Sequence, residues 1–78
     1  MSLSYRMVEV TENVNPDISL TKSKEKDEFW MVDERENDSG AVAFSRKVLL
    51  MIGFTKEQLK LVEEQTVNFL ILSKKNAK

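Results

Sequence analysis

The chain contains no histidine and no cysteine in 78 residues, and that double absence limits what it can fold into. A domain this short buries only about 60–65% of the surface that its unfolded chain exposes, so its hydrophobic core is thin. Small domains often compensate with disulfides or a structural metal. Neither a disulfide nor a Cys/His zinc site can be built from this sequence. The remaining sources of stability are well-capped helices, a sheet packed on a helix, or association of chains. The same absence removes the side chains that most often perform acid–base, nucleophilic and metal chemistry near neutral pH.

The hydrophobic fraction of 41% and the charged fraction of 32% are those of an ordinary folded chain. One domain over residues 1–78 is expected, with residues 74–78 as a frayed basic tail. Met1 to Arg6 lacks a basic stretch followed by an apolar run, so no secretory signal is expected. The nearly uncharged segment Val48–Thr55 is far shorter than the ~20 residues of a membrane-spanning helix. Zero cysteine fits a reducing compartment, and a cytoplasmic location is expected.

Charge is unevenly distributed. Residues 1–40 carry ten acidic and five basic side chains, and residues 41–78 carry three acidic and seven basic ones. The densest acidic stretch, Glu25 to Asp38, holds seven carboxylates opposed by Lys26 and Arg35. It reads either as charge that flanks an apolar strand and keeps it soluble or as a surface that steers a basic partner.

The pattern of elements predicts an α+β fold: a small antiparallel sheet of three to four strands packed on one or two helices. The strands are expected at 4–11, 18–21, 28–33 and 67–73, and the helices within 44–65. In the first strand, Tyr5 and Met7 take one face and Val8 and Val10 the other, which suggests a bulge or a strand covered on both sides. Phe29 to Val32 is a four-residue apolar run, expected either to be buried on both faces or to leave one face free for a partner. Asn13 to Asp17 and Glu36 to Gly40 carry turn chemistry.

Ala41 to Ile52 is ambiguous. Ala41, Phe44, Val48 and Met51 share one helical face, but Ser45 can also cap a shorter helix that begins at Arg46. Gly53 suits a helix C-terminus. Thr55-Lys56-Glu57-Gln58 fits a capping box, and Phe54 with Leu59 fits a hydrophobic staple; together they predict a helix from Lys56 to about Gln65. Thr66 to Leu72 can continue the helix, with Leu59, Val62, Thr66, Phe69 and Leu70 in one stripe, but a strand is favoured because Thr-Val-Asn is a poor helix interior.

The segment from Gly40, GAVAFSRKVLLMIGF, resembles the strand, Ser/Lys turn and short helix of swapped-hairpin transcription regulators of the AbrB-like fold. The resemblance covers under half the chain, and the capping box departs from it. It implies a closing hairpin made of Leu59–Glu64 and Phe69–Leu72. It also implies a dimer that binds nucleic acid, with Arg46, Lys47 and the C-terminal lysines near phosphates.

The residues themselves point away from chemistry. The two glycines stand alone, so no phosphate-cradling loop is expected. Asp33 to Gly40 is rich in oxygen ligands but lacks the ligand order of an EF-hand loop. Neither metal nor cofactor is expected. Carboxylate pairs such as Asp33/Glu36 and Glu63/Glu64 lack the buried surroundings that raise a catalytic acid's pKa, so no enzyme activity is expected.

Trp30 is expected to anchor the core or, alternatively, to serve as an interface hot spot. Met31 and Met51 are expected as core fillers. The reading that combines these features is a small non-enzymatic protein-binding or regulatory module. Its expected contact residues are Trp30, Asp33, Glu34 and Glu36, its expected partner is a protein for which a basic surface would be complementary, and the chain is expected to be a homodimer.

Overall fold

The computed structural model describes residues 5–10, 14–38 and 40–72. The expected C-terminal tail, 74–78, lies outside them, as do parts of the first strand and first turn. The elements run β1 (Arg6–Glu9), β2 (Ile18–Lys22), β3 (Glu28–Asp33), β4 (Val42–Ser45), α1 (Arg46–Ile52), α2 (Lys56–Val62) and β5 (Val67–Leu72). The strands form one antiparallel sheet in the order β1-β5-β2-β3-β4. The α+β expectation holds, with one more strand than expected.

The extra strand resolves the ambiguity at 41–52. Val42–Ser45 pairs with β3, placing Ala43 opposite Trp30 and Phe44 opposite Phe29. The chain turns from strand to helix at Ser45, whose side chain accepts a hydrogen bond from the Val48 amide at 3.2 Å. Gly53 ends α1 at φ 143°, and its amide donates to the Leu49 carbonyl. The capping box of α2 is complete: Thr55 Oγ1 accepts from the Gln58 amide and Gln58 Oε1 accepts from the Thr55 amide, both at 3.0 Å. The helix stops at Val62 rather than Gln65; the Glu63 amide donates to the Leu59 and Lys60 carbonyls, and the Glu64 and Gln65 amides continue as turns bonded to the Leu61 carbonyl. The hairpin implied for Leu59–Glu64 by the resemblance to swapped-hairpin regulators is therefore not formed, since most of that segment is helix.

Both helices cover one face of the sheet. Leu49 of α1, Leu59 and Val62 of α2 and Phe54 between them join Met7, Leu20, Phe29, Val67 and Phe69 in one buried cluster. Phe54 meets Phe69 edge-on, with ring centroids 5.0 Å apart. Phe54 of the staple pair thus packs on the inner strand β5, and Leu59 joins the same cluster. β1 pairs with β5 residue by residue from Arg6–Leu72 to Glu9–Phe69, without a bulge. Met7 is buried under the helices, and Val8 on the other face is only half-buried.

Met51 differs from expectation. It is 68% exposed on α1, because Leu49 is the residue of that helix turned into the core. Met31 is half-buried and does pack against the core cluster. No helix among the described residues is long and apolar enough to cross a membrane.

Candidate functional site

Alternation along the strands divides the sheet into two faces. Phe29 and Met31 lie under the helices, so Trp30 and Val32 point to the opposite, helix-free face. The strand register adds Thr21 and Ala43 beside Trp30, Ser19 beside Val32, and the pairs Val8–Leu70 and Arg6–Leu72 farther across. Trp30 is 43% exposed, so it is not the core anchor that its strand position suggested. Its neighbour Phe29 fills that role and is fully buried.

This face has two apolar corners, one at Trp30, Val32 and Ala43 and one at Val8, Leu70 and Leu72. A polar stripe of Ser19, Thr21, Thr66 and Asn68 separates them, and Thr21 and Thr66 share a hydrogen bond between hydroxyls at 2.9 Å. The residues around the tryptophan were not foreseen as part of a site. The apolar run Phe29 to Val32 carried the signal there, and the unbroken run at 69–72 carried it for the corner at Leu70 and Leu72, since a strand covered on one face only alternates apolar with polar.

The acidic residues named with Trp30 do not all share its surface. Asp33 falls on the helix side of β3, opposite to Trp30, by strand alternation. Glu34, Glu36 and Asp38 are exposed in the β3–β4 loop. By strand rise, Glu34 lies about 13 Å along the chain from Trp30.

The loop is anchored to the sheet. The Glu34 amide donates to the Asp17 carbonyl at 2.8 Å. Asp17 Oδ2 in turn accepts from the Ile71 amide at 2.8 Å. Arg35 folds back on Asp33, with its Nε and Nη2 donating to the carboxylate at 2.9 and 2.8 Å and its backbone N–H at 3.0 Å. The Arg35 side chain, and then its backbone N–H, hold the Asp33 carboxyl at about 2. Glu34 and Glu36 therefore present their carboxylates from a fixed loop base.

At the other end of the sheet lies an open cleft of about 530 Å³, lined in part by Lys22, Lys24, Asp27, Arg46, Glu63 and Gln65. Arg46 organises it. Its Nη2 donates to Asp27 Oδ1 and Glu63 Oε2, each at 2.8 Å. Its guanidinium stands 5.1 Å from the centroid of the Phe29 ring. The hydrogen bond from Arg46 holds the Asp27 carboxyl below its ordinary value. Arg46 thus joins the start of α1, the β2–β3 loop and the turn after α2, and its charge is matched by two carboxylates. Lys47, next in sequence, is exposed.

Among the described residues, no three Asp or Glu side chains converge as a metal site. No family model matches this chain, and neither does any curated protein or solved structure.

Proposed function

We propose that this protein is a small binding module that acts through the helix-free face of its sheet around Trp30. The carboxylates of the β3–β4 loop would steer a basic protein partner toward that face. The observation that carries this reading is a half-exposed tryptophan flanked by Val32 and Ala43, on a face that no described helix covers. Large aromatic side chains at the centre of a contact dominate interface energetics. Exposed carboxylates raise association rates more than affinity, which matches a loop set apart from the tryptophan by several residues.

Binding suits these side chains better than catalysis. Among the described residues, the carboxyls with displaced pKa values, exposed Asp27 and half-buried Asp33, are lowered, whereas a general acid needs a raised one. Arg46, on which a nucleic-acid reading leans, is engaged by Asp27 and Glu63. A cytoplasmic location is part of this proposal, since a chain without cysteine is compatible with a reducing compartment.

The test is affinity capture from source-cell extract, followed by binding measurements of the captured protein against the wild type, Trp30→Ala and Glu34→Lys/Glu36→Lys. The reading expects Trp30→Ala to weaken binding at least ~10-fold through faster dissociation. It expects the charge reversal chiefly to slow association and to reduce its salt dependence. Unchanged binding by a folded Trp30→Ala variant would refute it.

A further inference from the structure

The start of β3 already holds one arginine. Asp27 and Phe29, two residues apart, serve the helix side of the sheet. Arg46 Nη2 donates to Asp27 Oδ1 at 2.8 Å, while the same guanidinium stands 5.1 Å from the centroid of the Phe29 ring. A carboxylate and an aromatic ring two positions on thus grip one guanidinium together. Lys22 also approaches that ring, at 5.9 Å, but its ammonium donates to the Ser23 and Lys26 carbonyls and to no carboxylate. The difference follows from shape: a planar guanidinium lies against a ring and still turns an edge to a carboxylate, whereas an ammonium is a compact point charge.

One residue further on, the pattern repeats on the opposite face. Glu28 and Trp30 both point to the helix-free side by strand alternation. Their neighbours across the sheet are short. Ser45 and Ala43 stand opposite them on β4. Thr21 stands opposite Trp30 on β2, and Ser23 lies beside Glu28, whose carbonyl accepts from the Ser23 amide at 2.9 Å. A half-exposed indole and a carboxylate therefore rise side by side from a floor of small side chains. Among the described residues, the Glu28 side chain has no ion pair or hydrogen bond. The cations at this end of the sheet do not answer it. Arg46 is held by Asp27 and Glu63, and Lys22 by backbone carbonyls. Lys24, Lys26 and Lys47 are exposed and form no ion pair with it.

We infer that Glu28 and Trp30 form a subsite for an arginine side chain of the protein partner, its guanidinium lying on the indole with one edge bonded to the Glu28 carboxylate. The subsite rests on the helix-free face being the contact surface, as proposed above, and adds Glu28 to it. Arg46 on Phe29 and Asp27 is its filled counterpart on the other face. In both places two residues of strand set the carboxylate and the ring about 7 Å apart at their Cα atoms. The β3–β4 loop has a different part. Glu34 and Glu36 attract any cation from a distance, whereas an indole beside a carboxylate selects a guanidinium over an ammonium.

Hexa-arginine and hexa-lysine peptides, equal in charge, test this at about 0.15 M salt. Binding is followed through the NMR signals of the Trp30 indole N–H and the Glu28 side-chain carboxyl. The arginine peptide should move both signals and bind at least ~5-fold more tightly than the lysine peptide. Glu28→Gln, nearly isosteric at a half-buried position, should reduce that preference to less than ~2-fold. Glu34→Gln/Glu36→Gln should weaken both peptides alike and keep the preference. Equal binding of the two peptides to the wild type overturns the subsite. So does a preference that Glu28→Gln leaves intact, or arginine-induced shifts confined to residues 34–38. The wider reading fails separately. A protein captured from extract whose binding falls with Trp30→Ala but not with Glu28→Gln removes the subsite and leaves the tryptophan face; one indifferent to Trp30→Ala removes both.

Discussion

Gln58 and Met7, far apart in sequence, are joined by a hydrogen bond from Gln58 Nε2 to the Met7 carbonyl at 2.7 Å. The same side chain accepts from the Thr55 amide through Oε1. One buried amide group, 8% exposed, therefore closes the capping box of α2 and ties that helix to the edge strand β1. Gln58→Glu keeps the capping acceptor but has no N–H for Met7, and Gln58→Leu loses both bonds. Leaving a buried carbonyl without its donor costs about 1–3 kcal/mol, and a lost cap about 1 more. Urea unfolding should show both variants destabilised, with β1 amides exchanging faster in each.

Gly53 faces a different constraint. Its φ of 143° is one that side-chain-bearing residues rarely adopt, and a Cβ there would overlap the Tyr5 carbonyl oxygen. That carbonyl is held close because the Tyr5 amide donates to the Ile52 carbonyl at 2.6 Å. Gly53→Ala is expected to cost about 2 kcal/mol or more, from backbone strain together with displacement of β1. Gly40 has open space where a Cβ would stand, so Gly40→Ala should be within about 0.5 kcal/mol of neutral. Paired thermal melts of the two variants make the comparison.

Features settled within a few residues were legible before the fold was seen. Ser45, Gly53 and the Thr55–Gln58 box act through bonds three or four residues away, and each ends or begins a helix where expected. Features set by distant partners were not. Val42–Ser45 is a strand because β3 lies beside it, and four residues alone do not distinguish a strand from the first turn of an amphipathic helix. Met51 looked internal because a helical stripe shows which residues share a side, while the sheet decides which side faces in. Trp30 and the acidic residues are close in sequence, but a period of two separates Trp30 from Asp33. The Gln58–Met7 bond has no signal in the sequence.

The Asp33–Arg35 contact yields a pH prediction with a definite sign. The folded-state carboxyl sits at about 2 against an ordinary 3.8. A lowered pKa stabilises the fold above the unfolded value and loses that contribution as pH falls through the folded one. Stability attributable to this loop should therefore decline between about pH 4 and pH 2. The pair is exposed, so the effect on global stability is small, and side-chain carboxyl NMR of Asp33 is the sensitive measurement. Arg35→Ala should raise the Asp33 pKa only part of the way back, because the backbone N–H of residue 35 still donates to it. A full return to the ordinary value would show that the backbone bond contributes nothing.

Phe29 and Trp30 are adjacent, aromatic and in the same strand, yet they should respond oppositely to truncation. Phe29 is fully buried beneath both helices, with the Arg46 guanidinium at its ring. Phe29→Ala opens a cavity in a thin core, and such changes cost about 3–5 kcal/mol, a large share of what a domain this size possesses. Trp30 rests on Thr21 and Ala43 with much of its surface in water. Trp30→Ala removes that partial packing and leaves no enclosed cavity, so about 1 kcal/mol is expected. Chemical denaturation followed by far-UV circular dichroism measures both without relying on the tryptophan signal. If Trp30→Ala proves as damaging as Phe29→Ala, the tryptophan is structural, and the binding surface proposed around it loses its central residue.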